Sequence, residues 1–313
     1  MQSDACCQNR LRAVPLRNEL SVLPYIHVRD LQVGPFTIHP FGLLVTGGTL
    51  LGVELAKRRG SKVGLPPDTL MTFIAWMLVG GFIGGHVLDE IFYHPRAVIE
   101  QPWSLLYLWA GLSSFGGFIG ALTGVALWKF FAMKPNLNLG SLLSFALPSR
   151  RAQPVKIMPY ADVVLAVFPV AWIFGRLGCT VVHDHPGVIA SPNTLLAVAY
   201  GLGPVRSYGF FELRFGDTPR YDLGLLEMLF AVLVAVFFSL TWKRRFRVGW
   251  YAAVLPLVYA PVRFLLDFLR LDDPAGGDMH YAGLTPGQWA CMALFGAGLL
   301  VVAGLVRRPV LAH

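Results

Sequence analysis

Long apolar stretches alternate with short polar connections along this chain. A run of about 20 apolar residues is long enough to cross a bilayer as a helix, because each residue adds about 1.5 Å. Such runs occur at 41–57, 69–92, 104–131, 159–176, 224–241, 249–268 and 286–306. The pattern predicts an all-α integral membrane protein of about seven transmembrane helices.

The composition agrees with a membrane protein. The 313 residues are 55% hydrophobic and only 14% charged, and the mean hydropathy is +0.57. An ordinary soluble core cannot hide so much apolar surface. The formal net charge of +8 does not indicate nucleic acid, because the basic residues fall in short clusters between the apolar runs. No nucleic-acid partner is therefore expected.

The basic clusters predict the orientation. Lys and Arg concentrate in the connections after the first, third, fifth and seventh runs. They are Lys57, Arg58, Arg59, Lys62, Lys129, Lys134, Arg150, Arg151, Lys156, Lys243, Arg244, Arg245, Arg247, Arg307 and Arg308. Under the positive-inside rule these connections are cytoplasmic, which places the N-terminus outside and the C-terminus in the cytoplasm. The connection after the sixth run agrees, since it carries Asp272, Asp273 and Asp278.

One connection is much longer than the others. Residues 178–223 carry Gly, Pro, Tyr and charged residues, and they are predicted to form a small extracytoplasmic cap between helices four and five. Residues 1–40 are predicted to be an N-terminal extracytoplasmic segment. Neither an internal repeat nor a low-complexity tract divides the chain, so 1–313 is predicted to be a single polytopic membrane domain.

Polar residues are concentrated where the fourth run ends. Gly175-Arg176-Leu177-Gly178 is followed by His183, Asp184 and His185 before a Pro-Gly turn. An arginine at the bilayer centre costs roughly 2.5–3.5 kcal/mol, so Arg176 is expected to have a partner or a function. The alternative is that Arg176 only extends its charge to the headgroups.

The sixth run carries charges at helical spacing. Arg263, Asp267 and Arg270 lie at i, i+4 and i+7, which predicts two arginines around one carboxylate on one face. If Asp267 neutralises one arginine, the other is left for an anion such as phosphate. Glu227, at the start of the fifth run, adds a further carboxylate at membrane depth.

The second and third runs are rich in glycine at four-residue spacing, which lets helices approach closely. In the second run His86 shares a helical face with Asp89 or Glu90, although a helix end reaching the interface explains the same residues. In the third run a break at Gly116 and Gly117 could expose backbone N–H groups to an anion. Tight packing is the alternative for these two glycines.

These motifs together resemble the prolipoprotein diacylglyceryl transferase family, from about residue 34 to residue 300. The combination carries the resemblance, because a single glycine-rich stretch is not specific. The similar stretches are Gly34-Pro35-Phe36-Thr37-Ile38, Gly84-Gly85 to Phe92-Tyr93, Ser113 to Gly120, Gly175-Arg176-Leu177-Gly178, Arg263 to Arg270, and Gly287-Gln288. Three positions depart from the family: Phe41, Phe115 and Cys179 stand where it usually has Tyr, His and Asn.

The resemblance implies a multi-pass enzyme of the bacterial inner membrane. Such an enzyme moves the diacylglyceryl group of phosphatidylglycerol onto the thiol of a lipobox cysteine in a prolipoprotein. Its partners would be phosphatidylglycerol, prolipoprotein substrates and membrane lipids. The chemistry needs a cationic clamp for the phosphate, a base for the thiol and an opening to lipid.

The candidate residues follow from these requirements. Arg176 and Arg263 are predicted to form the clamp, and His183 and His185 are candidates for the base, with His183 favoured. The predicted substrate-binding residues are Gly116, Gly117, His86, Asp184, Glu227, Asp267 and Arg270. The four cysteines show neither a disulfide framework nor a zinc spacing, so no metal and no cofactor is predicted.

Other interpretations stay open on the sequence alone. A lipid-binding or transport-like membrane protein that has lost the chemistry would explain Phe41 and Phe115. A phospholipid hydrolase could use a metal at His183, Asp184 and His185, although His-x-His is a weak ligand set. The same three residues could instead only fix the cap by hydrogen bonds.

Overall fold

The computed structural model describes residues 22–107, 111, 113–132, 149–191, 194–244, 246–271 and 281–307. Within them the chain is mostly helical, as predicted. A 3₁₀ helix covers Pro102–Leu106. The α-helices are α1 Pro40–Lys62, α2 Pro67–Tyr93, α3 Pro95–Glu100, α4 Ser114–Phe130, α5 Met158–Val182, α6 Leu223–Leu240, α7 Trp250–Asp267 and α8 Pro286–Arg307. Residues 1–21, Lys134, Arg245, Arg308 and the acidic connection 272–278 lie outside the described residues.

Several helices are long and apolar enough to cross a membrane. By length and composition these are Pro67–Phe92 in α2, Met158–Val182 in α5, Leu223–Leu240 in α6 and Pro286–Val306 in α8. Within α4, Gly116–Phe130 is a shorter apolar helix. The described part of the chain is therefore that of a multi-pass membrane protein.

Two predicted boundaries differ from the structure more than the others do. The third run was expected to be helical from residue 104, but its α-helix begins only at Ser114, where the Ser113 hydroxyl accepts a hydrogen bond from Gly116 N at 3.1 Å. The fourth helix does not end at Arg176, because it continues through apolar residues to Val182. It stops at His183, whose left-handed backbone (φ 52°) cannot extend the helix.

The chain also contains β-structure, so the all-α prediction is wrong in this respect. The strands are β1 Val22–Val28, β2 Leu31–Val33, β3 Phe36–Ile38, β4 Phe131–Ala132, β5 Ser149–Arg150, β6 Pro186–Ile189, β7 Ala197–Tyr200, β8 Val205–Tyr208, β9 Phe211–Arg214 and β10 Thr218–Asp222. Six of these strands form one sheet in the order β6-β10-β7-β1-β9-β8. Five strands of the sheet come from 186–222, and β1 pairs parallel with β7 and antiparallel with β9.

The helices pack in sequence-distant pairs. α1 packs along α5, α2 along α4, α5 along α6, and α7 along α8. The glycine spacing explains the crossing of α2 and α4, because a Cβ on Gly84 would lie 2.5 Å from Gly120 Cα. These contacts confirm that the glycines allow close packing. The arrangement places the last turns of α5 beside the start of α6, where a Cβ on Gly224 would lie 3.0 Å from Thr180 N.

Candidate active site

Two arginines from different helices meet at one buried carboxylate. Arg176 Nε on α5 lies 2.9 Å from Glu227 Oε2, and Arg263 Nε on α7 lies 3.2 Å from Glu227 Oε1. Glu227, on α6, is only 1% exposed. The predicted clamp residues are thus brought together, and Glu227 is the residue that joins them. A carboxylate buried at this depth is stable because it is paired with cations.

A second carboxylate supports Arg263. Arg263 Nη1 donates to Asp267 Oδ1 at 2.8 Å, one helical turn along α7. The Thr285 hydroxyl donates to the other oxygen of Asp267. Thr285 also caps α8 reciprocally with Gln288, because Thr285 N donates to Gln288 Oε1 at 3.0 Å and Gln288 N donates to Thr285 Oγ1 at 3.1 Å. The start of α8 therefore fixes Asp267, and Asp267 fixes Arg263.

The four charged side chains balance while leaving donors open. Two guanidinium groups face two carboxylates, and the arginine side chains remain 17% and 15% exposed. Arg176 contacts Glu227 through Nε. Among the described residues its terminal nitrogens reach just Cys179 Sγ, at 4.0 Å. No hydrogen bond of good geometry reaches Glu227 Oε2 in that part of the chain, so its pair with Arg176 is an ion contact at 2.9 Å. The forked end of Arg176 can therefore receive a phosphate.

Arg270 does not lie where the i+7 spacing predicted. α7 ends at Asp267, so the spacing no longer describes a helical face at Arg270. Arg270 N donates to Asp267 O at 3.1 Å, and Arg270 forms an antiparallel bridge with Gly187 of β6. Beside it, Val188 N donates to Leu269 O at 2.8 Å. This segment joins the end of α7 to the sheet.

His183 links the sheet to α6. Its Nδ1 lies 2.6 Å from Asp222 Oδ2 and its Nε2 lies 3.0 Å from Ile26 O, while its ring stacks on Tyr25 with centroids 3.7 Å apart. Asp222 Oδ1 accepts from Leu225 N at 2.9 Å and so caps α6, the helix that carries Glu227. Both ring nitrogens of His183 are occupied and its side chain is 2% exposed. This favours the hydrogen-bonding alternative for His183.

Tyr200 completes this contact. Its hydroxyl donates to Asp222 Oδ2 at 2.9 Å. Burial raises the pKa of the Tyr200 phenol, and the negative charge of Asp222 raises that pKa further. The phenol is therefore protonated at neutral pH and remains a donor to Asp222.

Asp184 and His185 form a more open pair. His185 Nδ1 lies 2.5 Å from Asp184 Oδ1, and the two side chains are 28% and 40% exposed. One ligand atom each from Cys179, Asp184 and His185 lies within 4.8 Å of the others. These residue types could hold a zinc ion, but the Arg176 guanidinium near the Cys179 thiol opposes a second cation there.

The remaining predicted residues lie in the packing of α2 with α4. His86 is fully buried, and its Nδ1 and Nε2 lie 3.2 Å from Gly111 O and 3.1 Å from Ser104 O. It therefore fixes the connection between these helices. Gly116 packs on Gly84, since a Cβ on Gly116 would lie 2.5 Å from Gly84 O. Gly117 faces Gly81 at the same crossing, where a Cβ would lie 3.7 Å from Gly81 O.

Phe41 and Phe115 are two of the positions that depart from the family, and the structure describes the side chain of Phe41 only. The Phe41 ring packs against Gly178, because a Cβ there would lie 2.8 Å from Phe41 Cδ2. It places an apolar edge beside the turn of α5 that carries Arg176. The side chain of Phe115 lies outside the described part of the structure.

The sequence interpretation missed Tyr259 on α7. It precedes Arg263 by one turn, and the charges of Glu227, Arg176 and Arg263 act on its phenol. Its ring packs edge-on against Trp172 with centroids 4.7 Å apart. The i, i+4 spacing to Arg263 was the available signal, but tyrosine is common near the ends of membrane helices and its spacing alone is not specific.

The family model described as Prolipoprotein diacylglyceryl transferase matches residues 30–303, which include Arg176, Glu227 and Arg263. The chain is 28% identical over 290 residues to a protein from Chromohalobacter salexigens, covering 92% of this chain and 95% of that protein. It is 28% identical to one from Nitratidesulfovibrio vulgaris (88% and 92% covered) and 29% identical to one from Francisella tularensis subsp. holarctica (91% and 96%). All three are called phosphatidylglycerol–prolipoprotein diacylglyceryl transferase. This chain belongs to the prolipoprotein diacylglyceryl transferase family.

Proposed function

We propose that this protein transfers the diacylglyceryl group of phosphatidylglycerol to a prolipoprotein cysteine in the bacterial inner membrane. The observation that carries the proposal is the meeting of Arg176 and Arg263 at Glu227, inside the helix bundle. In the reaction the cysteine sulfur bonds to the glyceryl carbon that bears the phosphate. The carbon–oxygen bond breaks, its electron pair stays on the phosphate oxygen, and glycerol phosphate leaves.

The arginines act on the charge that develops during this step. Glu227 occupies the Nε sides of both arginines, so the terminal nitrogens of Arg176 face the incoming phosphodiester. As the carbon–oxygen bond breaks, negative charge grows on the departing phosphate. Fixed guanidinium groups in a water-poor site stabilise that charge more in the transition state than in the bound lipid. The clamp therefore accelerates the transfer and does more than hold the lipid.

Strand pairing supports seven crossings. β1, before α1, pairs with β7, after α5, so both lie on one side of the membrane. The chain then crosses an even number of times between them, as it does if α1, α2, α4 and α5 all span. The end of α7 bridges to β6 at Gly187, so these two segments also lie on one side of the membrane. The chain must therefore cross an even number of times between them, and α6 and α7 supply two crossings. α8 is then the seventh crossing.

The basic residues support the N-outside orientation. The connection between α6 and α7 touches the ends of two other helices away from the sheet. Arg247 Nη1 donates to Leu305 O at 2.9 Å, and Arg59 Nη1 lies 3.4 Å from Trp242 O. Most of the predicted cytoplasmic basic residues lie at these ends, opposite the sheet. The positive-inside rule then places the sheet, with the 178–223 cap, outside the cell.

Complementation tests the function directly. A strain depleted of its own diacylglyceryl transferase is supplied with this protein, and lipidation of a reporter prolipoprotein is followed by its mobility and mass. We expect growth and a diacylglyceryl adduct on the reporter cysteine, and neither with Arg176→Ala. An inserted protein that supports neither growth nor the adduct contradicts the proposal.

A lipid-binding protein without chemistry is the second candidate. The Phe41 ring beside Gly178 favours it, because phenylalanine carries no proton to transfer at a position where the family usually has tyrosine. Purified protein that binds phosphatidylglycerol vesicles but forms no thioether with a lipobox peptide would select this candidate.

A further inference from the structure

Of the three histidines that the sequence offered as site residues, one keeps a ring nitrogen open within the described part of the chain. His86 and His183 each place both ring nitrogens against acceptors of the protein. His185 places only Nδ1 against an acceptor, the Asp184 carboxylate at 2.5 Å. No hydrogen bond to His185 Nε2 occurs within the described residues, and the side chain is 28% exposed. His185 is therefore the histidine of the three that a substrate can reach.

His185 is connected to the clamp through one side chain. Ligand atoms of Cys179, Asp184 and His185 lie within 4.8 Å of one another. Cys179 Sγ in turn lies 4.0 Å from Arg176 Nη1, at the forked end proposed to receive the phosphate. A thiol that approached a lipid phosphate on Arg176 would thus pass within reach of the His185 ring. Two contacts therefore connect the Arg176 guanidinium to a candidate base: Arg176 with Cys179, and Cys179 with the pair of Asp184 and His185.

We propose that His185 is the catalytic base for the acceptor thiol and that Asp184 is its positioning residue. The inference deepens the proposed function and rests on it. Asp184 accepts Nδ1–H, which fixes the tautomer and leaves the Nε2 lone pair to accept a proton. Nε2 takes the proton of the cysteine S–H, and the thiolate sulfur bonds to the glyceryl carbon. The carbon–oxygen electron pair goes to the phosphate, and the imidazolium returns its proton to the released glycerol phosphate.

The charges around His185 suit this role. Asp184 stabilises the imidazolium that forms, while Asp222 is paired with His183. Arg176, with Glu227 behind it, and Cys179 face the pair from α5. On the sheet side, Arg220 donates to Gly187 O at 3.2 Å and Arg270 bridges to the same residue. The thiolate is thus formed between a proton acceptor and a cation.

The test measures turnover of the full-length protein with phosphatidylglycerol and a lipobox peptide, across pH 5 to 9. For His185→Gln we expect kcat to fall about 100-fold or more, the lower end for a lost general base, with the KM for lipid little changed. Without the base, the remaining activity should no longer fall at acid pH. Added imidazole should restore part of the lost turnover. Asp184→Asn should lower kcat by a smaller factor and shift the acid limb without removing it.

Matched controls separate a chemical effect from misfolding. His39 Nδ1 lies 2.9 Å from Asp30 in a similar but more exposed pair, at 66% and 47% exposure, so His39→Gln should keep the wild-type profile. His185→Gln should also keep the wild-type melting temperature. If it melts normally and retains both its turnover and its acid limb, the inference is wrong. Loss of the limb in His183→Gln instead would also overturn it. If the wild-type protein itself transfers nothing, the proposed function fails and not only the base.

Discussion

At the scale of single residues, Glu227 determines how the two arginines are used. One carboxylate holds two guanidinium groups by their Nε sides, and Asp267 takes a terminal nitrogen of Arg263. The buried set is electrically balanced before the lipid arrives, which lowers the cost of keeping four charges at membrane depth. Both arginines are held in a fixed orientation, and the terminal nitrogens of Arg176 remain available to donate hydrogen bonds.

Lysine should therefore fail in place of either arginine. A lysine ammonium is one nitrogen, so it cannot hold Glu227 and a phosphate oxygen from separate edges, which is the role we propose for Arg176. Arg176→Lys and Arg263→Lys should each lower kcat/KM for phosphatidylglycerol about 100-fold or more. Arg58→Lys is the control, because Arg58 forms an exposed pair with Glu54 at 2.7 Å. Near-normal turnover in both lysine variants would exclude recognition through the planar fork.

Glu227→Gln tests the charge balance itself. Glutamine keeps the side-chain size but removes the negative charge that both arginines share. Leaving buried cations without their partner costs about 3–5 kcal/mol, so the variant should melt at a clearly lower temperature. Glu54→Gln, in an exposed pair on α1, should melt like the wild type. Thermal unfolding of the detergent-solubilised proteins measures both, and equal melting temperatures would show that Glu227 is dispensable for holding the arginines.

At the scale of elements, the long apolar runs predicted the helices and missed the sheet. α2, α5, α6 and α8 appear where long apolar runs predicted them. The strands were missed because they are only two to seven residues long, and because β1 pairs with strands far along the chain. In the site, the i, i+4 spacing predicted the pair of Arg263 with Asp267. The contact of Arg176 with Glu227 could not be predicted, since only the packing of α5 on α6 creates it.

The crossing of α2 and α4 gives a prediction at this scale. A Cβ on Gly84 would lie 2.5 Å from Gly120 Cα, so Gly84→Ala forces two backbones apart. A Cβ on Gly81, one turn earlier on α2, would lie 3.4 Å from Gly117 O, which is an ordinary van der Waals contact. We expect Gly84→Ala to lower the melting temperature and the yield of inserted protein, and Gly81→Ala to change little. Equal stability of the two alanine variants would show that the helices are not this close.

At the scale of the whole molecule, the sheet couples distant parts of the chain to the site. β1 contributes Ile26 O to His183, β10 ends in Asp222, and Asp222 caps the helix that carries Glu227. β1 therefore stabilises the start of α6, although it lies about 200 residues earlier in the sequence, because segments far apart in sequence can belong to one cooperative unit. The basic connections predicted the orientation from the sequence, whereas this coupling depends on strand partners that hydropathy does not reveal.

The same sheet makes the topology testable at matched positions. Gly34 lies in the turn between β2 and β3, Gly209 lies in the turn between β8 and β9, and Arg247 lies between α6 and α7. Single cysteines at Gly34 and Gly209, in a background without the native cysteines, should react with a membrane-impermeant maleimide from outside intact cells. A cysteine at Arg247, and a reporter fused after residue 307, should respond only as cytoplasmic, because each is separated from the sheet by an odd number of crossings under the seven-helix arrangement. If the Gly34 and Gly209 positions report opposite sides, the pairing of β1 with β7 and β9 cannot exist in the membrane. If both report the cytoplasm, the strand pairing stands and the N-outside orientation is wrong.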